Sequence, residues 1–360
     1  MFTFWLLIFF GMFYFTSEMV YRHLLVNLVS DKYKYISHVL IIFLGQSFWL
    51  LLASLFYPQL KFYDRLFYFV FIIFFYMFFM VFCLKITSLF LTFNMQKAVF
   101  ISCSISVFIA FAGHISTYFP VITRYKVHTD KHIKMKVALI TDTHFGDLMM
   151  NHYTINRAIE KIKKENPDIL IIGGDIVEGK PEHFDSYRDV FKNSGVKTFA
   201  VLGNHDYYRK DYVEGAKKIE EGDIKVLLDE HIDITEYSDK TNPFANKIIL
   251  IGREDKTNRN RKSVKDLVKD IDKNKFLLLV DHQPQYFNEA IKEGIDLQLS
   301  GHTHNGQIFP FNFVVKSIYE KPYGQLDKEG KTLITSSGLG GWGPPIKIGS
   351  PVEVVIIDIE

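Results

Sequence analysis

An α/β domain preceded by an all-α membrane module is the fold class that this chain predicts, on three observations. Beyond about residue 134, short β-branched or leucine-rich runs alternate with amphipathic helical stretches, as in an α/β architecture. Before residue 120 the chain is dominated by aromatic and aliphatic runs. Short polar clusters of Asp, Asn and His follow directly on several of the later runs. The expected division is 1–120 and 134–360, with a junction at Phe119 to Ile133 where Pro120 marks the exit from the last apolar run.

Four apolar runs, at about residues 2–20, 36–57, 66–84 and 98–119, each approach the ~20 residues needed to cross a bilayer core. The stretch from Phe67 to Met80 leaves no polar face for water, which disfavours a buried soluble bundle. The first run has no cationic leader and no small-residue cleavage site, so it is expected to stay as an anchor. Lys61, Arg65, Arg124, Lys126, Lys131, Lys134 and Lys136 would share one side of the membrane, against Arg22, Lys32, Lys34, Lys85 and Lys97 on the other. By the positive-inside rule the half beyond residue 120 is then expected to be cytoplasmic. Glu18 and Lys85 sit near run ends, and His114 is expected to be hydrogen-bonded between helices. Cys83 and Cys103 lie in apolar runs and read as small hydrophobes rather than a disulfide.

Seven of the 42 Lys and Arg and three of the 40 Asp and Glu lie before residue 121, leaving 35 against 37 beyond it. The second half lacks the basic excess of a nucleic-acid binder, so no stable nucleic-acid partner is expected. Its helices are expected at Tyr153–Lys164, Tyr212–Glu221, Ser263–Ile271 and Gln285–Lys292, the first closed by Pro167. Further strands suit Lys225–Leu228, Lys247–Ile251, Thr332–Thr335 and Val352–Ile357.

The polar clusters carry the chemistry. Val137–Thr141 delivers Asp142 and His144, alternate residues at a strand end that can face one ion. Ile169–Ile172 runs into Gly173-Gly174, whose missing side chains allow a tight turn and leave room for Asp175 to bridge two cations about 4 Å apart. Thr198–Leu202 leads into Gly203-Asn204-His205-Asp206, where Asn204 offers an amide oxygen and His205 is free for other work. Phe276–Val280 delivers His282, and Leu297–Leu299 delivers His302 and His304. Mixed Asp, Asn and His ligation without cysteine suits two divalent ions, Mn, Fe or Zn, with Co and Mg also compatible. His128, His132, His152, His183 and His231 show no such placement and read as surface or capping residues.

The order Asp-x-His, Gly-Asp, Gly-Asn-His-Asp, His, Gly-His-x-His resembles the calcineurin-like metallophosphoesterase superfamily over roughly residues 135–360. The extended Gly301-His-Thr-His-Asn-Gly-Gln307 resembles its membrane-associated bacterial branch, some members of which cleave the pyrophosphate of UDP-diacylglucosamine in lipid A synthesis. The resemblance implies a four-layer α-β-β-α sandwich with metals at the carboxyl ends of the strands. It implies one metal on Asp142, His144, Asp175 and His304, and a second on Asp175, Asn204, His282 and His302. It also implies that His205 contacts the phosphate and assists the leaving oxygen, with the neighbouring Asp206 as its orienting partner.

The expected function is therefore a dimetal phosphohydrolase of the bacterial inner membrane that cleaves a phosphodiester or pyrophosphate by metal-activated hydroxide attack, with a lipid-linked molecule such as UDP-diacylglucosamine as substrate and the lipid bilayer as partner. A phosphodiesterase of soluble nucleotides or single-stranded nucleic acid is the enzymatic alternative. A catalytically idle, metal-stabilised membrane sensor is the other, against which the complete ligand set and His205 argue. Specificity would lie outside the ligands. The cationic loop Arg253–Lys262 reads either as solvated or as recognising phosphate or the membrane surface. Gly338–Pro345 resembles a glycine-rich segment near the active site of that branch, whereas Lys347 stands where relatives often carry Arg and Asn305 where Gly is common.

Overall fold

A computed structural model describes residues 2–26, 33–45, 63–131, 133–208, 211–234 and 248–360. The chain divides into two compact units, Met1–His114 and Ile115–Glu360. The first is helical: α1 (Phe2–Val20), α2 (Lys34–Gly45), α3 (Asp64–Thr87) and α4 (Met95–Ser116), the last running into the second unit. α3 and α4 are long and apolar enough to cross a membrane. The second expected run begins in α2, and its remainder, 46–57, lies outside the described residues. Met19, Val20, Met77, Val81 and Val99 form the buried cluster among these helices. Glu18 pairs with Arg22 Nε and with His38 Nε2, both at 2.5 Å, and the His38 ring stacks on Tyr21. His114 meets the Phe69 ring edge-on at 5.0 Å. Cys83 and Cys103 are free thiols.

The second unit is mixed α/β. Its strands are β1 (Val121–Val127), β2 (Met135–Ile140), β3 (Ile169–Gly173), β4 (Lys197–Val201), β5 (Ile224–Val226) and β6 (Glu230–Asp233). They continue with β7 (Ile248–Gly252), β8 (Phe276–Val280), β9 (Leu297–Ser300), β10 (Gly324–Lys328), β11 (Lys331–Thr335) and β12 (Glu353–Ile359). The helices are α5 (His152–Glu165), α6 (Arg188–Lys192), α7 (Asn204–Tyr207), α8 (Tyr212–Glu220), α9 (Val264–Val268), α10 (Phe287–Glu293) and α11 (Phe311–Ile318). One sheet runs β1-β12-β2-β3-β4-β5 and the other β10-β11-β9-β8-β7-β6.

Two-residue periodicity divides each central strand between two cores. Val137, Leu139, Ile171 and Phe199 of the first sheet meet Leu250, Leu278, Val280 and Leu299 of the second between the sheets. The alternate residues Ala138, Ile140, Leu170 and Ile172 face outward and are covered by Ile155, Ile159 and Ile162 of α5 and Ile219 of α8. Leu277 and Leu279 are covered in the same way by Val264, Leu267 and Val268 of α9 and by Phe287 and Ala290 of α10. α5 starts where the Asn151 side chain accepts from Thr154 N and stops at left-handed Asn166, just before Pro167. β2, β3 and β4 are mutually parallel, as are β7, β8 and β9, so the loops with the candidate ligands all leave carboxyl ends.

The expected junction is partly wrong. β1 occupies Val121–Val127 inside it, parallel to β12 from Val121–Glu353 to Val127–Ile359. Its Arg124 and Lys126 made it look like a linker, because an edge strand can carry charges on its open side. β6 and β10 were missed for the same reason, being short polar edge strands. The Leu278 side chain is fully buried between the sheets. Leu278→Ala is expected to lower the stability of the second unit by about 2–5 kcal/mol, read as a lower unfolding midpoint in detergent.

Candidate metal centre

Six of the side chains singled out from the sequence converge in two groups, although the residues that carry them lie as much as 162 positions apart, from Asp142 to His304. Asp142, His144 and His304 place one ligand atom each within 4.8 Å of one another, and so do Asp175, His282 and His302. Asp175 joins the two groups: its Oδ2 lies 3.2 Å from His282 Nε2 and 3.8 Å from His144 Nε2. His304 Nε2 is 3.4 Å from both Asp142 Oδ1 and His144 Nε2. All these side chains are buried except that of His302, which is partly open.

Local backbone conformation makes the convergence feasible. Asp142, His144, Asp175, His302 and His304 all have positive φ, between 44° and 71°, so the chain turns sharply as it leaves each strand. Gly174, at φ +96°, packs so tightly against the His282 ring and Gly203 N that a Cβ would collide with both. Gly203 lies against the Asp175 carboxylate in the same way, so neither position admits a side chain.

Outer hydrogen bonds fix the imidazoles. His282 Nδ1 donates to Gly173 O at 2.7 Å, which turns Nε2 and its lone pair toward Asp175. His144 Nδ1 lies 3.1 Å from Glu178 Oε2, leaving Nε2 toward Asp175 and His304. Among the described residues, Asn204 Oδ1, His282 Nε2 and His304 Nδ1 are buried without a hydrogen-bond partner. Orphaned buried acceptors of this kind, beside two carboxylates, fit a pair of divalent cations.

Charge follows the same geometry. Burial would raise the Asp175 carboxyl, but His282 and His144 outweigh it and hold it well below the usual range. Burial opposes a proton on His282, yet Asp175 and Asp142 raise its pKa. The field that attracts that proton would attract a cation equally. Burial and the neighbouring His282 bring His302 down to about 4, and burial and His144 keep His304 neutral as well, so both imidazoles have lone pairs to donate.

The expected partner of His205 is corrected. Asp206 does not face the imidazole: its carboxylate accepts from the backbone N–H groups of Ile176, Val177 and Gly203. It therefore clamps the β3 loop to the β4 loop. His205 Nδ1 instead meets Glu178 Oε2 at 2.6 Å, and its own backbone N–H donates to Asp175 Oδ1 at 2.8 Å. Burial would raise Glu178, but His144 and His205 pull it down to about 2. Burial disfavours a charged His205, whereas Glu178 and Asp175 raise its pKa and favour a protonated donor. Glu178 was missed in the sequence, where its only signal is an acidic residue three positions after Asp175 and just before Gly179.

Other expected residues also find their places. Gly338–Pro345 does border the centre: Leu339 N donates to Thr141 O and Gly340 N to Asp142 O. Lys347 is buried and donates to Ser337 O, Gly338 O and Pro351 O; burial brings it down to about 8, against the pull of Asp142 and Glu353. Asn305 adopts φ 49°, a conformation that Asn tolerates as Gly does. In the cationic loop, Arg253 and Arg261 are neither solvated nor free, because both guanidinium groups lie 3.3 Å from the buried Asp281 carboxylate. His183 Nδ1 sits 2.7 Å from Glu178 O and His152 stacks on Tyr187, while His132 lies outside the described residues.

The profile of the Calcineurin-like phosphoesterase family matches residues 135–306. An uncharacterized metallophosphoesterase of Aquifex aeolicus is 30% identical over 269 residues, 71% of this chain and 98% of that relative. The chain belongs to the calcineurin-like metallophosphoesterases. An uncharacterized metallophosphoesterase of Helicobacter pylori strain J99 is 34% identical over 251 residues, 66% of this chain and 63% of that protein. A transmembrane protein with metallophosphoesterase domain from Danio rerio is 24% identical over 237 residues, 63% of this chain and 53% of that one. The chain thus spans nearly all of the Aquifex relative but under two thirds of the other two.

Calcineurin-like metallophosphoesterases use a dimetal centre, and the clustered Asp and His side chains fit one. This metallophosphoesterase is a metal-dependent phosphoester hydrolase. The two carboxylates beside His205 are expected to separate by experiment. Asp206→Ala strands three backbone N–H groups and should lower the melting temperature by the equivalent of about 2–4 kcal/mol. Glu178→Ala should melt close to the parent but lose turnover, measured on an activated aryl phosphodiester.

Proposed function

We propose that this protein is a membrane-anchored dimetal phosphohydrolase that cleaves the phosphodiester or pyrophosphate of a lipid-linked substrate. The observation that carries this reading is the place of Asp175, whose carboxylate stands between the His282 and His144 imidazoles as a bridging ligand would. On this reading Asp142, His144, Asp175 and His304 hold one ion, and Asp175, Asn204, His282 and His302 hold the other, with Mn, Fe or Zn as the metals. Bound there, two divalent cations would lower the pKa of water toward neutrality and neutralise the phosphoryl oxygens.

The chain's own residues supply the rest. His205 is partly exposed, is held by Glu178 through Nδ1, and presents Nε2 to a leaving oxygen as a proton donor. Asp206 keeps the His205 loop against the Asp175 loop, so the donor and the ligands move as one body. The Gly338–Pro345 segment walls one side through its contacts with Thr141 and Asp142. Anchoring is supported by α3 and α4, each long and apolar enough to cross a bilayer, and by relatives named as transmembrane. The balance of Lys and Arg around the apolar runs supports a cytoplasmic catalytic half on a bacterial inner membrane. A substrate whose tail partitions into the bilayer would be concentrated at such a site.

Mn-loaded full-length protein in detergent, presented with UDP-diacylglucosamine, a cyclic nucleotide and a generic diester, should release uridine monophosphate and a lipid phosphate, identified by mass spectrometry. Turnover of the cyclic nucleotide with the lipid left intact would reject the lipid-linked reading. Separately, His205→Ala should lower kcat by about 10²–10⁴-fold while two metal equivalents remain by elemental analysis. Unchanged turnover would remove His205 from the chemistry.

A further inference from the structure

Beside the metal centre, α11 is an apolar helix turned to solvent. Phe313, Val314 and Ile318 are 60%, 52% and 63% exposed, and no residue of the helix is buried. Phe311 and, just before the helix, Phe309 are also exposed. Trp342 is 54% exposed, and its backbone carbonyl accepts from Gln307 Nε2 at 3.0 Å, two residues before Phe309. Large side chains left in water over a contiguous face cost solubility unless something apolar covers them. Lys316, with its ammonium 6.0 Å from the Phe313 ring, adds a cation to the face.

The chain itself indicates the covering medium. Ser116, the last residue of bilayer-length α4, donates its hydroxyl to Lys347 O. The next residue, Ile348, donates to Gln307 O and accepts from Phe309 N, so the Ser116 hydroxyl and two backbone hydrogen bonds link the exit of α4 to the segment just before α11. Three residues beyond that exit, Phe119 is about half exposed, as is Tyr153 against it, and the Arg157 guanidinium lies over both rings. Aromatic rings with a cation among them are what the headgroup zone of a bilayer selects. An amphipathic helix with apolar rings on one side and lysine at the rim lies in that zone.

We propose that α11 and Trp342 form a bilayer-docking face that seats the mouth of the metal centre on the membrane surface. The occupant is the lipid bilayer, and the inference rests on the membrane anchoring proposed above. Through Gln307 and His304 the docked face is tied to the candidate ligands, so a lipid headgroup phosphate would enter the centre without leaving the interface.

The test uses the full chain with Cys83→Ala and Cys103→Ala, carrying a nitroxide at Val314→Cys or, in a reference protein, at Lys269→Cys, reconstituted into phosphatidylcholine–phosphatidylglycerol vesicles. Oxygen and a water-soluble nickel chelate are compared as relaxing agents. The expected result is an oxygen-to-nickel accessibility ratio at 314 several-fold above that at 269. A label at Ile318→Cys repeats the reading should Val314→Cys fail to fold. A ratio at 314 equal to that at 269, in chain that stays embedded after carbonate washing, overturns the docking and leaves the anchor standing. Release of the chain by carbonate overturns both. Dipolar broadening between labels at 314 assigns the face to a second copy and overturns the bilayer reading.

Discussion

The structure turns on one buried carboxylate. Asp175 sits at the end of β3 with imidazoles of two ligand groups directed at it, and every other part of the centre is placed relative to that position. Its charge is tolerable inside the protein only because His144, His282 and the backbone N–H of His205 surround it. The same arrangement explains why Gly174 and Gly203 carry no side chains, since a Cβ at either would occupy the space that the carboxylate and its partners need.

Holding that geometry has a cost elsewhere in the chain. Five of the seven candidate ligands have left-handed backbone, and such residues carry strain of about 1–3 kcal/mol where nothing compensates. The compensation is structural. β2, β3, β4, β8 and β9 are buried on both faces and hydrogen-bonded into sheets, so the loops at their ends have little freedom to relax. Asp206 adds a local clamp by binding three backbone N–H groups of neighbouring loops. Rigid strands and a clamped turn together keep the imidazoles in register, which a set of independent loops would not do.

Much of this was legible along the chain. The strands that lead to the candidate ligands are continuous apolar runs because they are covered on both faces, and that pattern is strong in Ile169–Ile172 and Phe276–Val280. Among the elements that escaped notice, β1, β6 and β10 are sheet-edge strands with little apolar patterning, whereas α11 is strongly apolar but exposes the face that would ordinarily mark a core helix. For the site, the metal-binding residue types could be read from spacing and resemblance, but the partner of His205 could not. Adjacency suggested Asp206, yet a turn at φ-positive Asp175 carries Glu178 to the imidazole, and the helical start at Asn204 turns Asp206 away.

By itself, the sequence determined the α/β alternation, the apolar character of the N-terminal helices, the family, and the residue types available to hold two cations. These are local properties, set by side-chain chemistry and by periodicities of two and 3.6 residues. Only the tertiary structure decided which carboxylate faces His205, that Arg253 and Arg261 are committed to Asp281, and that an apolar helix stands open beside His304. Those facts depend on distances between segments far apart in the chain, which hydrophobic burial and backbone hydrogen bonding fix only once both sheets have formed.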